Sequence, residues 1–421
     1  MRLIKSRVFR NIVAVGTGAA AGQAVTFAFA PLITRLYSPE SFGLQGIFLS
    51  LVSMLSPLIA LRYPMAIVIA RDYDEAKCIT RLSLIIAAAI VGLLVLVLAF
   101  YGSNLLRLLG AQGLGSLIWF LPITLFCVAL QDVSDYRAAR LGAFRFVGGV
   151  TVAQALLTNL ARLLGGMIAP VAAVLVIVSA IAPAIQSTML YIGLREHRIS
   201  ARRFSLREAL AILQKHRDFA LFRAPTDLMN AFAQTAPVIL LSILFSPATA
   251  GLYALARSVV NLPLNIIGSA VGVVYYSRLA EMSRDGQVLL PMVLRATFAQ
   301  FLIPGGGLLV VSFAFPAVFA VMFGETWRPA GEFAQWMALW VVGMLANIPS
   351  VRALPVIGAQ WIHLVFNVII MFGGLSGMMT GYWLHGTALA AVSGYSIATA
   401  ALYALQILSY LQVIARHDRI H

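Results

Sequence analysis

The sequence predicts an all-α polytopic membrane protein, with about twelve transmembrane helices in two parallel six-helix lobes around a central cavity. Three observations predict it: apolar residues fall in long runs, basic residues keep to one side of those runs, and short motifs recur about half a chain apart.

The runs come first. Only 11% of the 421 residues are charged and 61% are hydrophobic, a balance that excludes a soluble domain of this length. Twelve apolar spans cover approximately residues 8–34, 42–69, 79–101, 114–134, 147–168, 170–192, 220–245, 250–276, 294–323, 333–356, 361–384 and 386–411. At ~1.5 Å per residue each can cross a hydrocarbon layer of ~30 Å. The first is too long for a signal-peptide core, and Pro31 and Arg35 stand where a small-residue cleavage site would be needed. Prolines within spans, among them Pro57, Pro122, Pro183, Pro237, Pro304 and Pro349, mark expected bends, because each removes a helical hydrogen bond.

Orientation follows from lysine and arginine. A net charge of +15 would suggest nucleic acid in a soluble protein, but here the charges sort by side. With the N-terminus inside, 23 of the 30 basic residues face the cytoplasm and 3 (Arg35, Arg107 and Arg328) face out. The other four, Arg62, Arg162, Arg223 and Arg257, lie within spans. Both termini are therefore expected in the cytoplasm, and no nucleic-acid partner is expected. The longest polar segment lies between spans six and seven and divides the chain into an N-terminal lobe (1–194), an amphipathic linker (195–219) and a C-terminal lobe (220–421). Ser205 and Glu208 have capping-box spacing, which predicts a short linker helix on the cytoplasmic surface, in contact with membrane lipids.

The repeat is carried by two matches. Ser38-Pro39-x-x-x-Gly43-Leu44 recurs as Ser246-Pro247-x-x-x-Gly251-Leu252, 208 residues on, and Leu141-Gly142-Ala143 resembles Ile357-Gly358-Ala359, 216 residues on. Both shifts carry span n onto span n + 6, so the repeats run parallel.

A charge within hydrocarbon costs a few kcal/mol or more unless it faces protein, a partner or water, so the four arginines in spans are the candidate site. Arg62, in Leu61-Arg62-Tyr63-Pro64, should lie ~13 Å from the cytoplasmic end if its helix continues through Pro64. Arg257 sits six residues past Gly251, near Ser258 and Asn261; Arg223 and Arg162 are shallower and can snorkel. Asp227, four residues after Arg223, is the carboxylate well inside a span. It suits an ion pair with Arg223 and is the candidate for coupling to protons or sodium, while Asp132 and Asp135 read as inner-border residues. Asn159, Gln154, Asn347 and other neutral polar residues in spans are expected to join helices, and His363 and His385 form no ligand cluster. There is no P-loop, HExxH or Gly-x-Ser-x-Gly motif, and Cys78 and Cys127 lack disulfide or metal spacing. The expectation is a non-enzyme without a cofactor.

Three stretches carry a resemblance. Pro31-Leu-Ile-Thr-Arg-Leu-Tyr-Ser-Pro-Glu-Ser-Phe-Gly-Leu44, Leu61-Arg-Tyr-Pro-Met-Ala-Ile-Val68 with the acidic Asp72-Tyr-Asp-Glu-Ala76, and Phe323-Gly-Glu-Thr-Trp-Arg-Pro-Ala-Gly331 are similar to segments of the lipid-linked oligosaccharide flippases for O-antigen, capsule and exopolysaccharide. These belong to the multidrug/oligosaccharidyl-lipid/polysaccharide exporter superfamily. The resemblance implies two six-helix lobes around a cationic cavity, lined here by Arg62, Arg257, Arg223 and Arg162. It implies an undecaprenyl-diphosphate-linked oligosaccharide as substrate, moved from the inner to the outer leaflet of a bacterial cytoplasmic membrane by alternating access. Partners on this view are that lipid-linked oligosaccharide, membrane lipids, and the polymerase and chain-length machinery of polysaccharide assembly. Pro64 stands where many relatives carry an acidic residue. Two rival readings are a drug or metabolite antiporter of the same superfamily, which would use buried carboxylates, and a glycan polymerase or ligase, for which the external loops are short.

Overall fold

The computed structural model describes residues 7–194 and 206–420, and every regular element among them is helical. In chain order these are α1 (Arg7–Leu36), α2 (Pro39–Ile59), α3 (Ala66–Ile69), α4 (Tyr73–Leu108), α5 (Phe120–Arg140), α6 (Phe144–Ile168), α7 (Ala172–Gly193), α8 (Leu206–Lys215), α9 (Ala224–Leu244), α10 (Pro247–Arg284), α11 (Leu290–Gln300), α12 (Gly306–Ser312), α13 (Phe315–Phe323), α14 (Arg328–Ala353), α15 (Gln360–His385) and α16 (Ala388–Ile420). Ten helical stretches are long and apolar enough to cross a membrane. In addition α1 and α10, of 30 and 38 residues, occupy the positions of the first and eighth expected spans. Side chains such as Phe100 (76% exposed) and Trp383 (77%) point outward, as a lipid-facing surface requires.

Two expected spans are divided into separate α-helices. Span two breaks after Ile59 and resumes as the short α3. Span nine is divided into α11, a widened π turn at Phe301–Gly305, α12 and α13. Pro304 sits in that turn, where its missing N–H leaves a carbonyl without its usual donor and a wider turn accommodates the gap.

The chain forms two compact units, Met1–Gly251 and Leu252–His421. The first unit includes α9, which packs along α2, and the first turn of α10. In that unit α2 is the central helix. Its Ile47, Phe48 and Leu51 are buried against Leu121 and Leu125 of α5 and Val176 of α7. At the edge α1 lies on α6 with backbones touching: a Cβ on Gly18 would collide with the Gly148 Cα, the close approach that small residues permit between membrane helices. The linker's second half is the ten-residue amphipathic α8, whose Ile212 packs with Ile67 of α3 and Ile79 of α4. Residues 195–205, including the expected cap Ser205, lie outside the described residues.

The two repeat motifs are turn chemistry. Ser38 caps α2 by accepting from the Ser41 N–H (3.2 Å), and Ser246 accepts from the Thr249 N–H (3.3 Å) in the same way at the start of α10. The motif glycines then meet. A Cβ on Gly43 would overlap the Pro247 carbonyl oxygen, and one on Gly251 would overlap the Pro39 oxygen. The motif thus packs against its own copy. At the second pair, Gly142 (φ 69°), just past α5, and Gly358 (φ 71°), closing the turn 354–358 that follows α14, are both left-handed. Each is followed by an alanine whose N–H reaches back five residues, Ala143 to Ala138 and Ala359 to Leu354, both 3.0 Å. This left-handed cap requires glycine because a Cβ is strained there.

In the second unit α14 is the central helix, with Met337, Ala338, Val341 and Leu345 buried and α11, α12, α13 and α16 around it. The α15–α16 hairpin closes on Gly377 and Gly394, where a Cβ on either would collide with the other's carbonyl oxygen. A polar chain crosses this unit: Asn347 donates to Gln406 (2.7 Å), Gln406 donates to Tyr410 (2.7 Å), and the Tyr410 hydroxyl lies 2.9 Å from His363 Nδ1. It gives Asn347 and His363 helix-joining roles.

Candidate functional site

The break after α2 creates the site. Leu61 (φ 47°) and Arg62 (φ 58°) are both left-handed without being glycine, a conformation that costs of order 1–3 kcal/mol each and persists only where the surroundings hold it. Pro64 cannot continue an α-helix from Ala60, and a 3₁₀ turn at Tyr63–Met65 carries the chain into α3. Three contacts hold the distorted segment. Tyr63 is buried and donates its hydroxyl to the Leu213 carbonyl of α8 (3.3 Å). Arg140 of α5 donates to the carbonyls of Ile67 (2.8 Å), Ala70 (2.8 Å) and Asp72 (3.0 Å), closing the orphan C-terminal end of α3. Asp72 in turn caps α4 by accepting from the Glu75 N–H (2.7 Å).

The helix does not continue through Pro64, the condition on which the expected depth of Arg62 rested. The Arg62 guanidinium meets two carboxylates, with Nε 2.8 Å from Asp227 of α9 and a hydrogen bond of 3.4 Å from Nη1 to Asp132 of α5. Arg223 donates to the same Asp227 oxygen (3.2 Å). Asp227 therefore serves two arginines, and Arg62 two carboxylates. The three inner members keep 13–28% side-chain exposure, while Arg223 keeps 53%. One turn beyond Asp132, Asp135 accepts from Gln186 of α7 (3.2 Å).

The cluster adds two features that the sequence reading did not contain. Arg62 and Arg223 do come together, in a set of two arginines and two carboxylates whose formal charges cancel, and the carboxylates offset the cost of part-burying Arg62. Asp132, read from the sequence as a border residue, is a direct partner of Arg62.

Arg162 lies in a different network. It donates to Ser179 (3.1 Å) and Asn159 (3.5 Å), Gln45 also donates to Ser179 (2.8 Å), Asn159 donates to Thr26 (3.1 Å), and Tyr37 donates to the Arg162 carbonyl (2.8 Å). These partners are neutral and knit α1, α2, α6 and α7 together. Arg257 belongs to the second unit, half-buried on α10 within electrostatic reach of the Tyr253 and Tyr395 phenols. Among the described residues no group of three or more His, Cys, Asp or Glu could hold a metal ion, and Cys78 and Cys127 are free thiols.

The chain is thus a helical multi-pass membrane protein with a charged cluster at a break in one span. By fold, the chain is similar to an inward-facing multidrug resistance MATE family transporter of the MOP superfamily (TM-score 0.67, 14% identity, 96% of this chain and 95% of that one). It is also similar to a mutant of the Vibrio cholerae MATE transporter VcmN (0.60, 14%, 97% and 96%) and to the lipid II flippase MurJ in an inward closed conformation (0.72, 11%, 98% and 91%). No curated protein matches the sequence. The family model described as polysaccharide biosynthesis protein matches residues 32–332, and the chain belongs to that family.

Proposed function

We propose that this protein is a flippase, not an enzyme, that moves an undecaprenyl-diphosphate-linked oligosaccharide from the inner to the outer leaflet of the cytoplasmic membrane by alternating access. It would do so with both termini in the cytoplasm, for O-antigen, capsule or exopolysaccharide synthesis, alongside the polymerase and chain-length machinery. The observation that carries the reading is Arg62. A guanidinium at a strained helix break, paired with two carboxylates, is an anion receptor whose resting occupants are internal. A diphosphate offers the same bidentate oxygen geometry with more charge, and can take the place of Asp132 and Asp227. The carboxylates so released would need water or a proton, which links substrate entry to the ionic state of Asp227. Arg223, on the same carboxylate, and Arg257 and Arg162 are secondary candidates for the polar head.

The test is complementation of a deletion strain, reading surface polysaccharide and internal lipid-linked oligosaccharide. Arg62→Gln together with Asp227→Asn removes one charge of each sign and nearly preserves volume. We expect this variant to reach the membrane, to lose surface polymer, and to accumulate lipid-linked precursor. Normal polymer from it would overturn the role of Arg62.

A second reading, a cation-coupled drug or metabolite antiporter, is favoured by one observation: Asp132, Asp135 and Asp227 give the first unit three carboxylates within spans. Drug resistance on overexpression, with polysaccharide unaffected by deletion, would decide for it.

A further inference from the structure

Outside the Arg62 cluster, the first unit carries a shallow cleft open to its surroundings, between the start of α4 and the end of α5. Tyr73, Lys77 and Thr80 form one wall and Arg137, Arg140 and Leu141 the other. Three cations thus line it. The neighbouring acids stand outside the lining: Asp72 caps α4, Glu75 takes Lys215 (2.6 Å) and His216 (3.1 Å), and Asp74, at the rim, lies 3.2 Å from Lys77. Lys77 is held in place, its ammonium 4.5 Å above the Tyr73 ring and its side chain only 13% exposed. Arg140 is fixed by the three carbonyls it caps.

The rim is greasy. Ile69 (63% exposed), Val68 and Leu141 present apolar surface directly beside the cations. The 36 residues of α4 span ~54 Å against a hydrocarbon layer of ~30 Å, so its first turns, with Tyr73 and Lys77, reach the headgroup zone. Cations in a fixed cleft at headgroup depth with aliphatic side chains alongside are complementary to one class of ligand, an anion that carries its own acyl chains.

We propose that the cleft of Lys77, Arg137 and Arg140 is a binding site for the headgroup phosphate of an anionic phospholipid, whose chains lie along Leu141 and Ile69. Because Arg140 also closes α3, the segment that leads from Arg62, occupation of the cleft bears on the stability of the region holding the candidate transport site.

The experiment uses the full chain in detergent with phosphatidylglycerol, phosphatidylcholine or inorganic phosphate added at equal concentration, reading lipid affinity by native mass spectrometry and unfolding temperature. Wild-type protein should retain and be stabilised by phosphatidylglycerol alone. Each cation removed should weaken that binding about 5-fold at low ionic strength, so Lys77→Gln with Arg137→Gln should weaken it roughly 25-fold, while Lys77→Arg with Arg137→Lys keeps it. A photoreactive phosphatidylglycerol analogue on wild-type protein, which needs no variant, should label peptides from residues 73–80 and 137–141. Labelling only elsewhere, equal binding by the neutral variant, or equal stabilisation by inorganic phosphate overturns the proposal.

Discussion

Arg62 shows how one residue's environment decides what its substitution does. Arg62→Ala leaves Asp227 with Arg223 alone and Asp132 without its guanidinium, so stability should fall. A fully buried pair broken on one side loses ~3–5 kcal/mol; with 13–28% exposure here the expected loss is about 1–3 kcal/mol, visible as a lower unfolding temperature. Asp227→Asn added to Arg62→Ala should recover part of it, and a double mutant worse than the sum of the singles would refute the pairing. Leu61 gives a prediction of the opposite sign. Its φ of 47° suits glycine, so Leu61→Gly should be neutral or slightly stabilising where a leucine-to-glycine change in a regular helix costs ~1 kcal/mol. The sequence made Arg62, Arg223 and Asp227 conspicuous because charge in an apolar run has few explanations. It did not expose Asp132, which sits where a span meets a basic border, although Gln131, Asp132, Ser134 and Asp135 on one helix were a signal of a polar face. Nor could it show the left-handed pair, since neither Leu61 nor Arg62 is a residue that usually adopts that conformation.

At the scale of elements, two contacts replace what helix geometry cannot supply. Arg140 stands in for the missing next turn of α3 by donating to the Ile67 carbonyl within it and to the Ala70 and Asp72 carbonyls just beyond it. Arg140→Ala should cost about 2 kcal/mol, the range for charge-assisted hydrogen bonds discounted for partial exposure, and Arg140→Lys should recover only a fraction, because an ammonium lacks the planar fork. Thermal unfolding of both variants checks this. The α2–α10 contact rests on absent side chains. Gly43→Ala forces a methyl into the Pro247 carbonyl, and the strain should reach or exceed the upper end of the ~1–3 kcal/mol typical of overpacking. Gly149→Ala, at an open position on α6, is the control and should be neutral or stabilising by up to ~1 kcal/mol. The helices themselves were legible from apolar run length. The breaks in spans two and nine were only half legible: Pro64 and Pro304 mark the places, but a proline does not say whether the chain will kink, widen or restart.

For the whole molecule, the decisive sequence property is the segregation of basic residues, 23 against 3, which predicts the orientation independently of any packing. A fluorescent protein fused after His421 should fluoresce and an alkaline phosphatase fused there should be inactive; the reverse result would invert the topology. The packing of α9 along α2 was not legible, because α9 begins the second half in sequence. The repeat motifs were found as letters and turn out to be joints, and the Ser-Pro-x-x-x-Gly pair is the more consequential of the two. Copies that face lipid can drift apart one residue at a time. Gly43 and Gly251 cannot, since each is the wall the other leans on, and any atom gained by one must be matched by a retreat of the other. The first atom either one gains lands on a backbone carbonyl of the facing helix, which has no side chain to give way, so a substitution at either copy has to move a whole helix.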